Sequence, residues 1–372
     1  MRSLFGTDGI RAKVGEYPLT DEMILKIGRA LANFVKADVP ESEVRKTIII
    51  ARDTRGSGEK IEGFLVEAIV SQGVNVIKLG ILPTPASAFL VKKLKADLSV
   101  VISASHNSIT DNGLKFFTSK GYKLSPQEES IIENLVASDD SKDLSIPDKG
   151  EVFEEEKAVS LYVSFLKKVL KGVDISPFKI VADCGYGSVS PIIGPLAEAL
   201  GLNIISINDT PDGMNINKDA GSLHPKILSE KVIGESADCG FAFDGDGDRL
   251  ILSDGKGNIL DGDFILAIMG RYLNRKNKLN RSTIVTTYMS NLGFDMSVNL
   301  WAGKVIKVDV GDKYVLEKMV HSRLNLGGEQ SGHIILLDYS TTGDALIAAL
   351  FLLRIMAEEK KSLKVLSRCM YK

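Results

Sequence analysis

Apolar and polar positions fall into blocks along this chain, and one succession of blocks recurs. Residues 20–36 place Met23, Ile24, Ile27, Ala30, Leu31 and Phe34 three and four apart, which predicts an amphipathic helix with Thr20 or Asp21 as its N-cap. The β-branched run at 47–51 then predicts a buried strand. A polar loop (52–59), a helix through 61–71, a glycine at 73 and a second strand at 74–79 follow. The same order of strand, loop, helix, glycine and strand returns at 179–207 around Gly201, and again at 283–308 around Gly303. Each glycine stands where a helix C-cap needs a left-handed residue, and a parallel strand pair needs such a helical crossover. Repetition at this spacing predicts an α/β fold of three tandem related α/β domains with mixed, mostly parallel sheets. Polar and charged stretches at 138–156 and 253–258 set the boundaries at 1–150, 151–255 and 256–372. The first stretch reads as a linker or exposed edge and the second as a hairpin turn. A helix through 157–170 resumes after the first. The apolar run 345–357, with Arg354 inside it, is too short to span a bilayer and reads as a buried helix.

Two loops carry candidate chemistry. The first is Ser103-Ala104-Ser105-His106-Asn107, just after the apolar strand at 98–102 and ahead of Asp111-Asn112-Gly113. Ligands of open α/β sheets bind at such strand ends. The second is Asp244-Gly245-Asp246-Gly247-Asp248-Arg249, after the strand at 241–243. Glycines between the carboxylates let the backbone fold tightly enough to converge three side chains. So many like charges need a cation among them, and an all-oxygen set favours Mg²⁺. An EF-hand would need Gly and Glu where Arg249 and Gly255 stand. Three Asp ligands rarely complete a Mg²⁺ shell alone, and a phosphate on Ser105 could supply the remaining oxygens. A Ser-His-Asp hydrolase fits less well: adjacent Ser105 and His106 look poorly placed to bond to each other, and there is no G-x-S-x-G elbow.

The formal net charge of −2, with Lys and Arg scattered, gives no footprint for nucleic acid or an anionic membrane. Residues 1–10 hold no apolar core of a signal peptide. Three widely separated cysteines form neither a disulfide framework nor a zinc site, and a reducing, cytoplasmic setting fits them.

Taken together with residues 5–11 (Phe-Gly-Thr-Asp-Gly-Ile-Arg), 111–115, 328–333 (Gly-Glu-Gln-Ser-Gly-His) and 338–344, these loops make the chain resemble the α-D-phosphohexomutases over its whole length. The resemblance implies an active site in the cleft between the domains and a phosphoserine at Ser105. It implies that Asp244, Asp246 and Asp248 bind Mg²⁺ together with the Ser105 phosphate. It also implies that Glu329 and Ser331 grip sugar hydroxyls with His333 nearby. Lys115, His106, Arg11 and Arg249 become candidates for proton transfer and charge stabilisation. Gln330 and the Ser-Ala-Ser-His-Asn form point to the branch that interconverts glucosamine 6-phosphate and glucosamine 1-phosphate through a bisphosphorylated sugar, with a sugar 1,6-bisphosphate as activator. The branch acting on mannose and glucose phosphates is the alternative, and a non-catalytic phosphosugar-binding protein is an alternative of another class. A homodimer through the first domain is also implied. The chain departs from the family pattern at Ser108, where Pro is usual, and at Lys313, where Arg is common. No Arg-Ser-Gly-Thr-type loop follows Ala345, so a chain without the family's fourth, phosphate-binding domain, and with weak turnover, is expected.

Overall fold

The computed structural model describes residues 4–37, 46–138 and 148–371. The chain divides into two compact units, one of residues 1–158 with 212–214 and one of residues 159–211 with 215–372.

In the first unit the order is β1 (Ile10–Lys13), α1 (Asp21–Lys36), β2 (Thr47–Arg52), α2 (Gly58–Ser71), β3 (Asn75–Ile81), α3 (Thr84–Lys93), β4 (Leu98–Ile102), β5 (Asp111–Thr118), α4 (Pro126–Ala137) and β6 (Val152–Glu154). The sheet runs β1-β5-β4-β2-β3-β6. β2 lies parallel to both β3 and β4, whereas β5 is antiparallel to β4 and to β1. Thr20 caps α1 as expected, accepting from the Met23 N–H at 3.3 Å. α1 packs on α2 so closely at Gly28 that a β-carbon there would lie 2.6 Å from Ala68 Cβ. The stretch expected as a linker or exposed edge contains β6, a short exposed strand along β3, while 139–147 lies outside the described residues.

The second unit continues with α5 (Ala158–Leu166), β7 (Lys179–Asp183), α6 (Ser190–Leu200), β8 (Asn203–Ile207), α7 (Pro225–Gly234), β9 (Cys239–Phe243), β10 (Leu250–Asp254) and β11 (Ile259–Leu260). Then come α8 (Gly262–Arg275), β12 (Thr283–Thr287), α9 (Leu292–Asn299), β13 (Lys304–Val308), α10 (Asp312–Ser322), β14 (Leu326–Gly328), β15 (Ile334–Leu336), α11 (Ala345–Glu359) and α12 (Leu363–Leu366). Its two sheets run β11-β10-β9-β7-β8 and β13-β12-β14-β15. The expected turn at 253–258 is the β10–β11 hairpin, tied by Asp254, which accepts from the N–H groups of Lys256 and Asn258. α11 is apolar around its circumference because it is buried around its circumference, from Ala345 to Met356. Each large apolar side chain so enclosed contributes about 1.5–3 kcal/mol.

The repeat read from the sequence is real and extends further than the pattern showed. Each sheet contains one four-strand core: β3-β2-β4-β5, β8-β7-β9-β10 and β13-β12-β14-β15. In each, the central strand pairs parallel on both sides, and the fourth strand returns antiparallel to the third. The cap rule needs one correction. Gly73 and Gly201 take positive φ, but in the third copy Ala302 holds the left-handed turn. Gly303 is glycine for another reason: a β-carbon there would lie 2.1 Å from the Trp301 ring.

Candidate active site

The connections from third to fourth strand are the loops 103–110, 244–249 and 329–333. The three stretches singled out for chemistry therefore occupy one topological position, repeated three times.

In the first loop Ser105 is buried and adopts φ +53°, a left-handed conformation that costs a non-glycine residue free energy. Its N–H donates to Ser103 Oγ (2.9 Å), and the Ser103 hydroxyl donates to Asp53 Oδ2 (2.6 Å). Contrary to the expectation for neighbouring residues, Ser105 Oγ lies 3.3 Å from His106 Nδ1. Gly113 allows the loop to close: a β-carbon there would meet Ser103 O at 2.6 Å and Ile10 O at 2.8 Å.

Arg11 leaves β1 and donates to Ala104 O and Asn107 Oδ1, both at 3.3 Å, and pairs with Asp8. Lys115, from β5, is 1% exposed, and its Nζ lies 3.2 Å from Asp8 Oδ2. Lys123 Nζ reaches Asp8 Oδ1 at 2.5 Å. Three cations thus share one carboxylate beside the serine loop, and the excess positive charge suits a phosphoryl group. Asp8 and Lys123 escaped the sequence reading. The turn at residues 6–9 is closed by the Gly6 N–H donating to Gly9 O, and nothing local in its sequence shows which cations it gathers.

The second loop holds Asp244, Asp246 and Asp248, all buried, with one carboxylate oxygen of each within 4.8 Å of the others. The backbone N–H groups of Asp248 and Arg249 donate to Asp244 Oδ1 at 3.1 and 3.0 Å. Gly247 turns at φ +70°, and the Ser188 N–H holds Gly245 O at 2.8 Å. A set of three hard oxygen donors with no sulfur or nitrogen, desolvated and pressed together, fits a small divalent cation. Arg249 Nε lies 3.9 Å from Asp248 Oδ1; burial works against the guanidinium charge, but Asp248, Asp244, Glu329 and Asp246 outweigh it and push its pKa up.

The third loop lies against the second. Arg249 and His333 form a β-bridge, and the Leu250 N–H donates to Gly332 O at 3.0 Å. His333 is enclosed: Nδ1 is 3.6 Å from Asp248 Oδ1, Nε2 is 3.6 Å from Asp312 Oδ2, and Nε2 accepts from the Gly343 N–H at 3.1 Å. Burial alone would lower its pKa; Asp248, Asp312 and Glu329 reverse that, and the net direction is up. Its contacts brace the aspartate loop. Glu329 is buried and accepts from the Gly311 N–H at 3.1 Å, whereas Ser331 is exposed.

Loops in this topology, one bearing a buried serine among cations and another a carboxylate triad, define a phosphoryl-transfer protein. Models of the phosphoglucomutase/phosphomannomutase α/β/α domains I, II and III match residues 2–143, 160–257 and 261–372, and the chain belongs to that family, an isomerase of the phosphotransferase kind. More narrowly, it is 44% identical over 373 residues to the phosphoglucosamine mutase of Pelobacter propionicus, covering 100% of this chain and 82% of that protein. The phosphoglucosamine mutase of Geobacter metallireducens is 45% identical, again with 82% of its length covered. Among solved structures, a phosphoglucomutase/phosphomannomutase family protein from Burkholderia thailandensis matches with TM-score 0.83 and 25% identity, over 99% of this chain and 80% of that one. The Aspergillus fumigatus N-acetylphosphoglucosamine mutase, solved with GlcNAc-6P and magnesium, shares the fold at TM-score 0.64 and 14% identity, over 99% and 80%. Among the described residues no helix is long and apolar enough to cross a membrane.

Proposed function

We propose that the chain is a phosphoglucosamine mutase, interconverting glucosamine 6-phosphate and glucosamine 1-phosphate. The observation that carries this reading is the 44–45% identity to phosphoglucosamine mutases along the whole chain, with Ser105 and the aspartate triad set in matching connections of the repeat. Ser105 carries the phosphoryl group. Its Oγ–P bond breaks as a sugar oxygen takes the phosphorus, and the bisphosphorylated sugar so formed then returns its other phosphoryl to Ser105. His106 is placed to move the Oγ proton, at 3.3 Å. Lys115 and Arg11 hold positive charge beside the loop, where the oxygens of the transferring group carry negative charge. Asp244, Asp246 and Asp248 would hold Mg²⁺, which, when bound, supplies positive charge to phosphoryl oxygens. Arg249 balances that loop, and Glu329 with Ser331 contacts sugar hydroxyls. The same reading carries a sugar 1,6-bisphosphate activator, a homodimer and a cytoplasmic setting; light scattering tests the dimer.

The experiment is a rate comparison with glucosamine, glucose and mannose phosphates after priming with a sugar 1,6-bisphosphate. Preference for glucosamine phosphate, lost in Ser105→Ala, is the expected result. A clear preference for mannose phosphate overturns the assignment.

A further inference from the structure

Beneath the serine loop lies a buried ion pair that none of the roles above uses. Arg55 sits on the connection after β2, and its side chain is fully buried. Its Nε donates to Asp53 Oδ2 at 3.0 Å. One terminal nitrogen donates to Asp111 O at 2.9 Å and also to Ser108 O, while the other donates to Ser105 O at 3.0 Å and Asn107 O at 2.9 Å. Three carbonyls of the loop and that of Asp111, where β5 begins, thus converge on one guanidinium. Asp53 holds the opposite side of the same residue: it accepts from Ser103 Oγ, which itself accepts from the Ser105 N–H. Both backbone polar groups of Ser105 are therefore tied to a single Asp53–Arg55 pair, one through Ser103 and one directly. The pairing of β2 with β4, with Arg52 opposite Ile102, sets the two connections side by side.

We propose that Arg55, oriented by Asp53, is a positioning residue for phosphoryl transfer: it holds Ser105 in its left-handed conformation and thereby sets the direction of Oγ. This rests on Ser105 being the phosphoryl acceptor. The carbonyls supply the argument. Left-handed backbone at 105 is disfavoured for serine, so the loop keeps it only if its surroundings over-determine it. A planar fork can serve four carbonyls at fixed angles, and an ammonium cannot. With its donors committed to backbone and to Asp53, Arg55 has no role in gripping substrate, so its loss should leave substrate affinity alone and slow the chemistry.

The transfer measured is from a sugar 1,6-bisphosphate to the unphosphorylated chain: the sugar O–P bond breaks, the Oγ–P bond forms, and the Oγ proton ends on the sugar oxygen. Intact mass against time reads the rate for wild type, Arg55→Lys, Arg55→Ala and Ser103→Ala, with thermal unfolding measured beside it. Expected are a loss of about 100-fold in Arg55→Lys, the scale of an ångström-sized misplacement, an unchanged half-saturating bisphosphate concentration, and partial recovery of Arg55→Ala in guanidinium at concentrations that leave wild type unaffected. Should Arg55→Ala not fold, Arg55→Lys and Ser103→Ala decide the matter, the latter slowed about tenfold on the same scale. Transfer by Arg55→Lys at the wild-type rate, or a slowing wholly due to weaker bisphosphate binding, overturns the proposal. Failure of the Ser105 reading looks different: wild type itself gains no phosphoryl group, or gains one that survives Ser105→Ala.

Discussion

Replacing Asp344 with Asn should change how the second unit's stability depends on pH. Asp344 is fully buried at the start of α11, where Oδ1 accepts from the Ile347 N–H (2.9 Å) and Oδ2 accepts from the Tyr162 hydroxyl (2.7 Å). Burial disfavours the charged form more than those bonds favour it, and lifts the carboxyl from 3.8 to about 6. The folded chain thus holds this proton more tightly than the unfolded one. The resulting stability is fully present below about pH 4 and is lost as pH rises through 6. At 1.36 kcal/mol per pKa unit the loss is about 3 kcal/mol. Asparagine keeps one oxygen acceptor, for the Ile347 N–H, turns its amide N–H₂ toward the Tyr162 hydroxyl oxygen in place of the other, and never ionises. Asp344→Asn should therefore be about 3 kcal/mol more stable than wild type at pH 7.5 relative to the same comparison at pH 4. Urea unfolding followed by the fluorescence of Trp301, the single tryptophan and a member of the same unit, reads this directly. Any fixed effect of the amide cancels between the two pH values. A difference constant to within about 0.5 kcal/mol across that range would refute the reasoning, since so small a change is typical of a surface site.

Three further outcomes follow from the geometry. Gly113→Ala forces a β-carbon against Ser103 O and Ile10 O, and should cost about 1–3 kcal/mol in urea unfolding as well as slowing phosphoryl uptake at Ser105. Asp246→Asn should weaken Mg²⁺ binding, measured calorimetrically, by at least about tenfold, since losing even an outer partner of a metal ligand costs that much. Cys184, Cys239 and Cys369 are free and buried, and burial pushes all three thiols up, Cys369 to about 11. A thiol-specific alkylating reagent should label none of them in the folded chain and all three in denaturant.

Much of the fold was legible because its strands are short apolar runs between turn residues. β4, β8 and β13 fall on the residues that the pattern predicted, and α1 starts at its expected cap. Less legible was whatever depends on which strands become neighbours. The order β3-β2-β4-β5 brings Asp53 and Arg55 under a loop about fifty positions away, and nothing local in Asp53-Thr54-Arg55 announces it. The same holds for Asp8, whose three cations come from β1, β5 and the turn beyond. β14 and β15, three residues each, were too short to show that the 329–333 loop repeats the position of the other two. The contact between Ser105 and His106 is not legible in the sequence, because adjacency fixes neither the backbone turn between two residues nor their rotamers. The aspartate triad was readable: its alternation with glycine is itself the geometry.

The central claim is that Ser105 holds a phosphoryl group on its way between two oxygens of one sugar. The most direct measurement loads the chain with a labelled phosphoryl group, adds glucosamine 6-phosphate, and follows the label over a single turnover. Label is expected on Ser105 at the start and on the sugar afterwards, with little inorganic phosphate. Label released chiefly to water, or never found on Ser105, contradicts it.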